Sequence, residues 1–171
     1  MEKTLKISNL TLALLAAFIL TSCSATPPLT PEQLMAQEVE TNKALDYFSR
    51  EIVITDSGRA NTPITSLKLA ESGNGYVVKY YSNTKIEPLF EEQVVSCIGS
   101  KNIGPELNCK LFNGVNRRAS IKITQVPENT IVKDPRLIPI QKTISVPKGA
   151  LLVTTQHSPM MYQYAAEFRK E

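Results

Sequence analysis

The residues best suited to chemistry in this sequence are three cysteines and a single histidine. Cys97 and Cys109 lie 12 positions apart around a turn-rich segment, a pattern typical of a disulfide in an oxidising compartment. A redox pair would favour the C-x-x-C spacing, which is absent. Cys97, Cys109 and His157 would form an incomplete zinc shell. We therefore predict a structural disulfide, which stabilises by about 3 kcal/mol in the chain-entropy model, and no metal or cofactor.

No catalytic motif accompanies His157. The sequence contains no G-x-S-x-G, no H-E-x-x-H, no P-loop and no dinucleotide-type glycine pattern. Glu91 and Glu92 are the only adjacent acidic pair, and neighbouring strand residues face opposite sides of a sheet. We interpret both glutamates as solvated surface residues and His157 as structural or solvated. An enzyme would need one of these groups to meet another titratable group in a cleft.

The first 23 residues have the organisation of an export signal. Lys3 and Lys6 precede an apolar run, residues 10–20, that only Thr11 interrupts. As a helix this run rises about 16 Å, roughly half of a bilayer core. It is too short for a permanent span, and it is followed by small residues and Cys23.

The segment Leu20-Thr21-Ser22-Cys23 resembles the lipobox of bacterial lipoproteins. The resemblance implies that residues 1–22 are removed and that Cys23 carries a diacylglycerol and further acyl chains such as palmitate. Ser24, in place of an aspartate, implies sorting to the outer membrane, facing the periplasm. A plain secretory signal or a short N-terminal anchor is the alternative. Residues 23–30 then form the lipidated N-terminus and a short linker, and residues 31–171 a single periplasmic domain.

The composition of the remaining chain excludes a concentrated nucleic-acid interface. Removal of 22 residues from 171 leaves 149, the size of one domain. Two lysines and one glutamate leave with the leader, so the net charge falls from +3 to +2. Arg117-Arg118 is the only adjacent basic pair outside the tail, and we interpret it as a solvated strand or turn edge, with phosphate or headgroup contact as the alternative.

A helix is predicted over residues 31–50. Thr30 is a suitable N-cap, Pro31 suits the first helical position, and Gln33 completes a capping-box pattern. Its apolar stripe is expected to pack on a sheet, with a coiled-coil partner face as the alternative. The stripe consists of Leu34, Met35, Val39, Leu45 and Phe48.

Residues 52–156 have the alternation and turn signals of short strands. Hairpins are predicted at Glu71–Gly75 and at Pro147–Gly149, and a short helix over residues 158–170. Long helices do not alternate with the strands, which disfavours a parallel sheet. We therefore predict an α+β, β-dominated fold: an antiparallel β-sandwich or partly open barrel of about seven or eight strands, with an N-terminal helix and a short C-terminal helix.

Tyrosine and methionine supply the candidate contact surface. Tyrosine offers area with a polar tip, and methionine adapts to partners. These types cluster near the C-terminus, where core packing is the alternative role. The members are Met160, Met161, Tyr162 and Tyr164.

Three classes of function follow from these observations. The favoured class is a non-enzymatic interaction or structural component of a cell-envelope assembly, such as a secretion, conjugation, pilus or envelope-biogenesis accessory. It would hold membrane lipid through Cys23 and bind envelope proteins, without nucleic acid. A lipoprotein that binds a small ligand or inhibits a hydrolase is the second class, and an envelope hydrolase the third.

Overall fold

The computed structural model describes residues 28–57, 63–73, 75–101, 103–112, 119–132, 143–157 and 160–170. The chain divides into two compact units, Met1–Pro31 and Glu32–Glu171, and only residues 28–31 of the first are described. One helix, α1, spans Pro31–Tyr47. The strands of the described residues are β1 (Ile52–Ser57), β2 (Ser66–Ser72), β3 (Gly75–Tyr81), β4 (Phe90–Ser100), β5 (Glu106–Phe112), β6 (Ala119–Gln125), β7 (Thr130–Val132), β8 (Ile144–Val146), β9 (Leu151–His157) and β10 (Met160–Phe168).

Eight strands close into an antiparallel barrel. Their order is β1-β10-β9-β6-β5-β4-β3-β2, and β7 and β8 form a separate two-stranded sheet. β10 closes the barrel because it pairs with β9 on one side and β1 on the other. The β-dominated fold with an N-terminal helix is therefore confirmed, and the barrel is closed rather than partly open.

Alternating side chains fill the barrel interior. In β6, buried Ala119, Ile121 and Ile123 alternate with more exposed residues, as a strand with one face on a core requires. Burying one such aliphatic side chain stabilises the fold by about 1.5–3 kcal/mol. The buried members of this core are Ala44, Leu45, Phe48, Ile52, Leu67, Leu69, Val78, Tyr80, Leu107, Cys109, Leu111, Ala119, Ile121, Ile123, Leu151, Val153, Tyr164 and Ala166.

The C-terminal half of α1 packs against the barrel at Gly99 of β4. The Gly99 amide donates a 3.0 Å hydrogen bond to Thr41 Oγ1, and a Cβ on Gly99 would lie 2.6 Å from the Glu40 carbonyl oxygen. Only glycine therefore permits this approach. Within the described residues, no helix is long and apolar enough to cross a membrane.

The end of α1 differs from the prediction. The helix ends at Tyr47 rather than residue 50, and Phe48 beyond it is completely buried. Of the predicted apolar stripe, only Leu45 and Phe48 pack into the core. The expectation that the whole stripe packs on the sheet is wrong for its other three members, because Leu34, Met35 and Val39 in the N-terminal half of the helix are exposed.

The predicted C-terminal helix over residues 158–170 is wrong, because β10 occupies this segment. Strand β10 is buried on both faces around its centre: Tyr164 and Ala166 belong to the barrel core, and Ala165 packs against the β7–β8 sheet on the other side. Burial on both faces removes the period-two alternation of a strand. The remaining apolar spacing imitates a helix, and tertiary pairing overrides the helical propensity of Met and Ala.

The two predicted hairpins have different outcomes. The one at Glu71–Gly75 is confirmed, because β2 pairs with β3 down to Ser72 and Gly75. The turn at Pro147–Gly149 exists, with Gly149 at a φ of 81°, but it does not join hydrogen-bonded neighbours. β8 pairs with β7, and β9 pairs with β6 and β10.

Candidate functional site

A buried polar cluster lies inside the barrel: Tyr80 of β3, Glu92 of β4 and His157 of β9. The Tyr80 hydroxyl donates a 2.8 Å hydrogen bond to Glu92 Oε2, and His157 Nδ1 lies 3.4 Å from Glu92 Oε1. Strands β5 and β6 separate β4 from β9 in the barrel order. The contact between Glu92 and His157 therefore crosses the interior and links two strands that are not neighbours in the barrel wall.

The surroundings of this cluster favour a neutral tyrosine. Burial raises the pKa of Tyr80 well above its ordinary value, and the charge of Glu92, its hydrogen bond and nearby Tyr164 raise it further. Glu92 itself is 1% exposed. Its Oε1 atom lies near His157 but makes no hydrogen bond with the described part of the chain, because a 3.4 Å separation meets the distance for an ion pair without hydrogen-bond alignment.

The arrangement of this cluster suits a cross-barrel tie better than catalysis. A tyrosine and a carboxylate that are both 1% exposed offer no direct path to a substrate. Phe90 stacks on Tyr80 with ring centroids 4.4 Å apart, and so covers the phenol. The side chain of His157, the most accessible of the three cluster members, is 22% exposed.

Of the adjacent pair Glu91 and Glu92, one glutamate differs from the prediction. Glu91 lies on the surface, where it pairs with Lys79 at 3.2 Å, as expected. Glu92 is buried, so its interpretation as a solvated residue is wrong. The alternation in β4 indicates this burial, because Phe90, Glu92 and Val94 share one face of the strand. Phe90 pairs with Tyr80 of β3, and Val94 pairs with Leu111 of β5.

The four predicted contact residues do not form one surface. Met160 is exposed, Met161 and Tyr162 are half-buried, and Tyr164 is 3% exposed within the core. Alternation along β10 places Met161 on the opposite face from the others. Tyr162 donates a 3.0 Å hydrogen bond to Met160 Sδ. Met160 is therefore the one exposed member of the four.

The predicted disulfide is confirmed between Cys97 of β4 and Cys109 of β5. The two residues are paired directly across the β4–β5 ladder, and Cys109 lies within the barrel core. Cys23, the predicted lipidation site, lies outside the described residues. Among the described residues, no group of three His, Cys, Asp or Glu side chains is arranged to hold a metal ion.

Three exposed apolar side chains lie close together in sequence on α1. The exposed fractions of Leu34, Met35 and Val39 are 53%, 60% and 51%. Residues 31–42 contain three glutamates and no lysine or arginine. Glu40 pairs with Lys43 at 2.8 Å, and this hydrogen bond and charge lower its pKa. We call these three apolar residues, together with Glu32 and Glu38, the α1 face.

No protein-family model matches this chain, and no curated protein or solved structure matches it either.

Proposed function

We propose that this protein is a lipid-anchored, non-enzymatic component of a cell-envelope assembly, and that the α1 face docks a protein partner. The lipobox-like segment ending at Cys23 supports an anchor, with palmitate-type acyl chains in the outer membrane and the domain in the periplasm. The proposal covers secretion, conjugation, pilus or envelope-biogenesis assemblies. The observation that carries it is the exposure of Leu34, Met35 and Val39 beyond the barrel.

The chemistry of the α1 face favours a protein groove as its occupant. Met35 and Val39 are four positions apart, a spacing found among the anchors by which a helix enters a hydrophobic groove, and Leu34 is exposed beside them. Glu32 and Glu38 flank them, and no basic residue lies between positions 31 and 42. Because an anionic bilayer would repel these carboxylates, we infer a partner groove with lysine or arginine at its rim.

The filled barrel interior weakens the alternative of a ligand-binding lipoprotein. A barrel that holds a small ligand leaves its interior open, whereas this interior contains Leu107, Ile121, Val153 and the other core side chains. A docking role needs no internal cavity. It therefore remains the function that the described surface supports best.

Site-specific photo-crosslinking in the producing bacterium tests the docking proposal. A photoreactive residue in place of Met35 is expected to crosslink a single protein, and the same residue in place of exposed Lys110 on β5 is the control. The captured protein is then purified and titrated with wild type and with Val39→Glu, which should weaken binding by about tenfold or more, as loss of a central apolar anchor does. Crosslinks to lipid alone, to a second copy, or equally from position 110 would refute the docking face.

The anchor is tested separately by mass analysis of protein isolated from its own host. An N-terminal Cys23 carrying acyl chains is expected, and Cys23→Ser should leave an unmodified chain that is released from the membrane. An unmodified Cys23 in wild type would remove the anchor from the proposal but would leave the crosslinking result to stand by itself.

A further inference from the structure

A polar groove of about 450 Å³ lies on the outer face of the barrel beside β2. Its walls come from the start of β2, the end of β3 with the segment that follows, and Arg169 after β10. The volume falls within the range of small-molecule sites. This groove is formed by other elements than the α1 face and has no part in the docking proposal.

Among the described residues, Glu51 is the one carboxylate that lines the groove, and its charge is already neutralised. Glu51 Oε1 lies 2.9 Å from Arg169 Nη2, and the Ser66 hydroxyl donates a 2.9 Å hydrogen bond to the same oxygen. Ser66 is buried, so its hydroxyl fixes the carboxylate at the edge of the groove. Arg169 is also held there, because its amide donates to the Glu51 carbonyl oxygen at 2.8 Å.

Two further cations line the groove with no counter-charge. Lys68 on β2 and Lys85 after β3 have no ion-pair partner among the described residues. Lys79 lies opposite Lys68 across the β2–β3 ladder. The neighbouring carboxylate of Glu91 forms its ion pair with Lys79, at 3.2 Å, and not with Lys68. With Glu51 balanced by Arg169, the described residues of the groove carry an excess of two positive charges.

We propose that this groove binds a phosphate group, presented either by a lipid headgroup or by a soluble phosphate ester. Lysine binds phosphate as a mobile point charge, and two lysines match the charge of a phosphate monoester. Asn83 lines the same groove and supplies amide donors for the remaining oxygens. Glu51 limits the affinity, since a carboxylate beside an anion repels it.

Titration of the full-length protein at low ionic strength tests this site, because salt screens such contacts. Inorganic phosphate and glycerol 1-phosphate are the soluble probes. Lys68→Ala/Lys85→Ala should weaken binding about tenfold, and Glu51→Gln should strengthen it while keeping an oxygen acceptor for Ser66 and Arg169. The matched control is Lys110→Ala/Lys148→Ala, which removes the same charge elsewhere on the surface and should change affinity less than about twofold.

Vesicles distinguish the two sources of the phosphate group. The unlipidated Cys23→Ser chain is mixed with phosphatidylcholine vesicles with and without phosphatidylglycerol. Sedimentation that requires phosphatidylglycerol and both groove lysines, without saturable binding of the soluble probes, assigns a headgroup. Saturable binding of the soluble probes assigns a free ester. No binding in either arm, an equal loss in the control variant, or no gain with Glu51→Gln would overturn the site.

Discussion

At the scale of single residues, Glu91 and Glu92 are chain neighbours with opposite environments. Glu91 is exposed and forms an ion pair with Lys79, whereas Glu92 is buried and accepts a hydrogen bond from the Tyr80 hydroxyl. Glu92→Ala would leave that hydroxyl buried without its acceptor and would open a cavity. We expect a loss of about 2 kcal/mol in the free energy of unfolding. Urea denaturation measures this loss, and the matched control Glu91→Ala should change stability by less than about 0.5 kcal/mol. Equal effects of the two variants would contradict the cross-barrel tie.

Tyr80 makes stability depend on pH in the alkaline range. Its pKa is raised in the folded state, chiefly by burial and then by Glu92, so folding favours the protonated phenol. This contribution is fully present below about pH 10, the ordinary tyrosine value, and is lost as the pH rises through the folded value. Thermal unfolding at increasing pH above 10 should therefore show a smaller decline for Tyr80→Phe than for wild type. Tyr81→Phe, on the other face of β3, is the control and should decline as wild type does.

At the scale of elements, the position of α1 depends on the absence of a side chain at Gly99. An added Cβ would lie 2.6 Å from the Glu40 oxygen and 2.7 Å from the Thr41 Cα atom. Both contacts are backbone atoms, so the helix itself would have to move. We expect Gly99→Ala to destabilise the fold by about 1–3 kcal/mol, as overpacking does. Gly75→Ala is the control, since its Cβ would meet nothing within 4 Å. Denaturation curves that coincide for the two variants would refute this packing.

The elements also show which parts of the fold the sequence could predict. β6 and the β2–β3 hairpin were predictable because each has local alternation or a local turn. Strand β10 could not be predicted from local sequence, because its strand conformation depends on pairing with β1 and β9 and on packing against the β7–β8 sheet. The same reason explains Glu92: its partner His157 is 65 positions away, and only barrel closure brings the two together. The disulfide could be predicted from the sequence because Cys97 and Cys109 are the only cysteines beyond Cys23, so each has one possible partner.

At the scale of the whole molecule, the extent of strand pairing differs around the closed barrel. The β9–β10 ladder has seven paired positions, whereas β1 and β2 share only two. The seam between β1 and β2 therefore has the fewest paired positions in the described barrel wall. The groove that holds Lys68 and Glu51 lies beside this seam, while the disulfide links β4 and β5 elsewhere in the wall.

Removal of the disulfide tests whether closure or the covalent link holds the barrel together. Cys97→Ala/Cys109→Ala frees a short loop in the unfolded chain, which should lower the free energy of unfolding by about 3 kcal/mol. The barrel should still close, because β4 and β5 keep their ladder and the other strands keep theirs. The expected result is a lower denaturation midpoint, a slope that is equal or steeper because the unlinked unfolded chain exposes more surface, and an unchanged far-ultraviolet circular dichroism spectrum before the transition. Loss of the native spectrum without denaturant would mean that the link, rather than the hydrogen-bonded circuit of strands, maintains the fold.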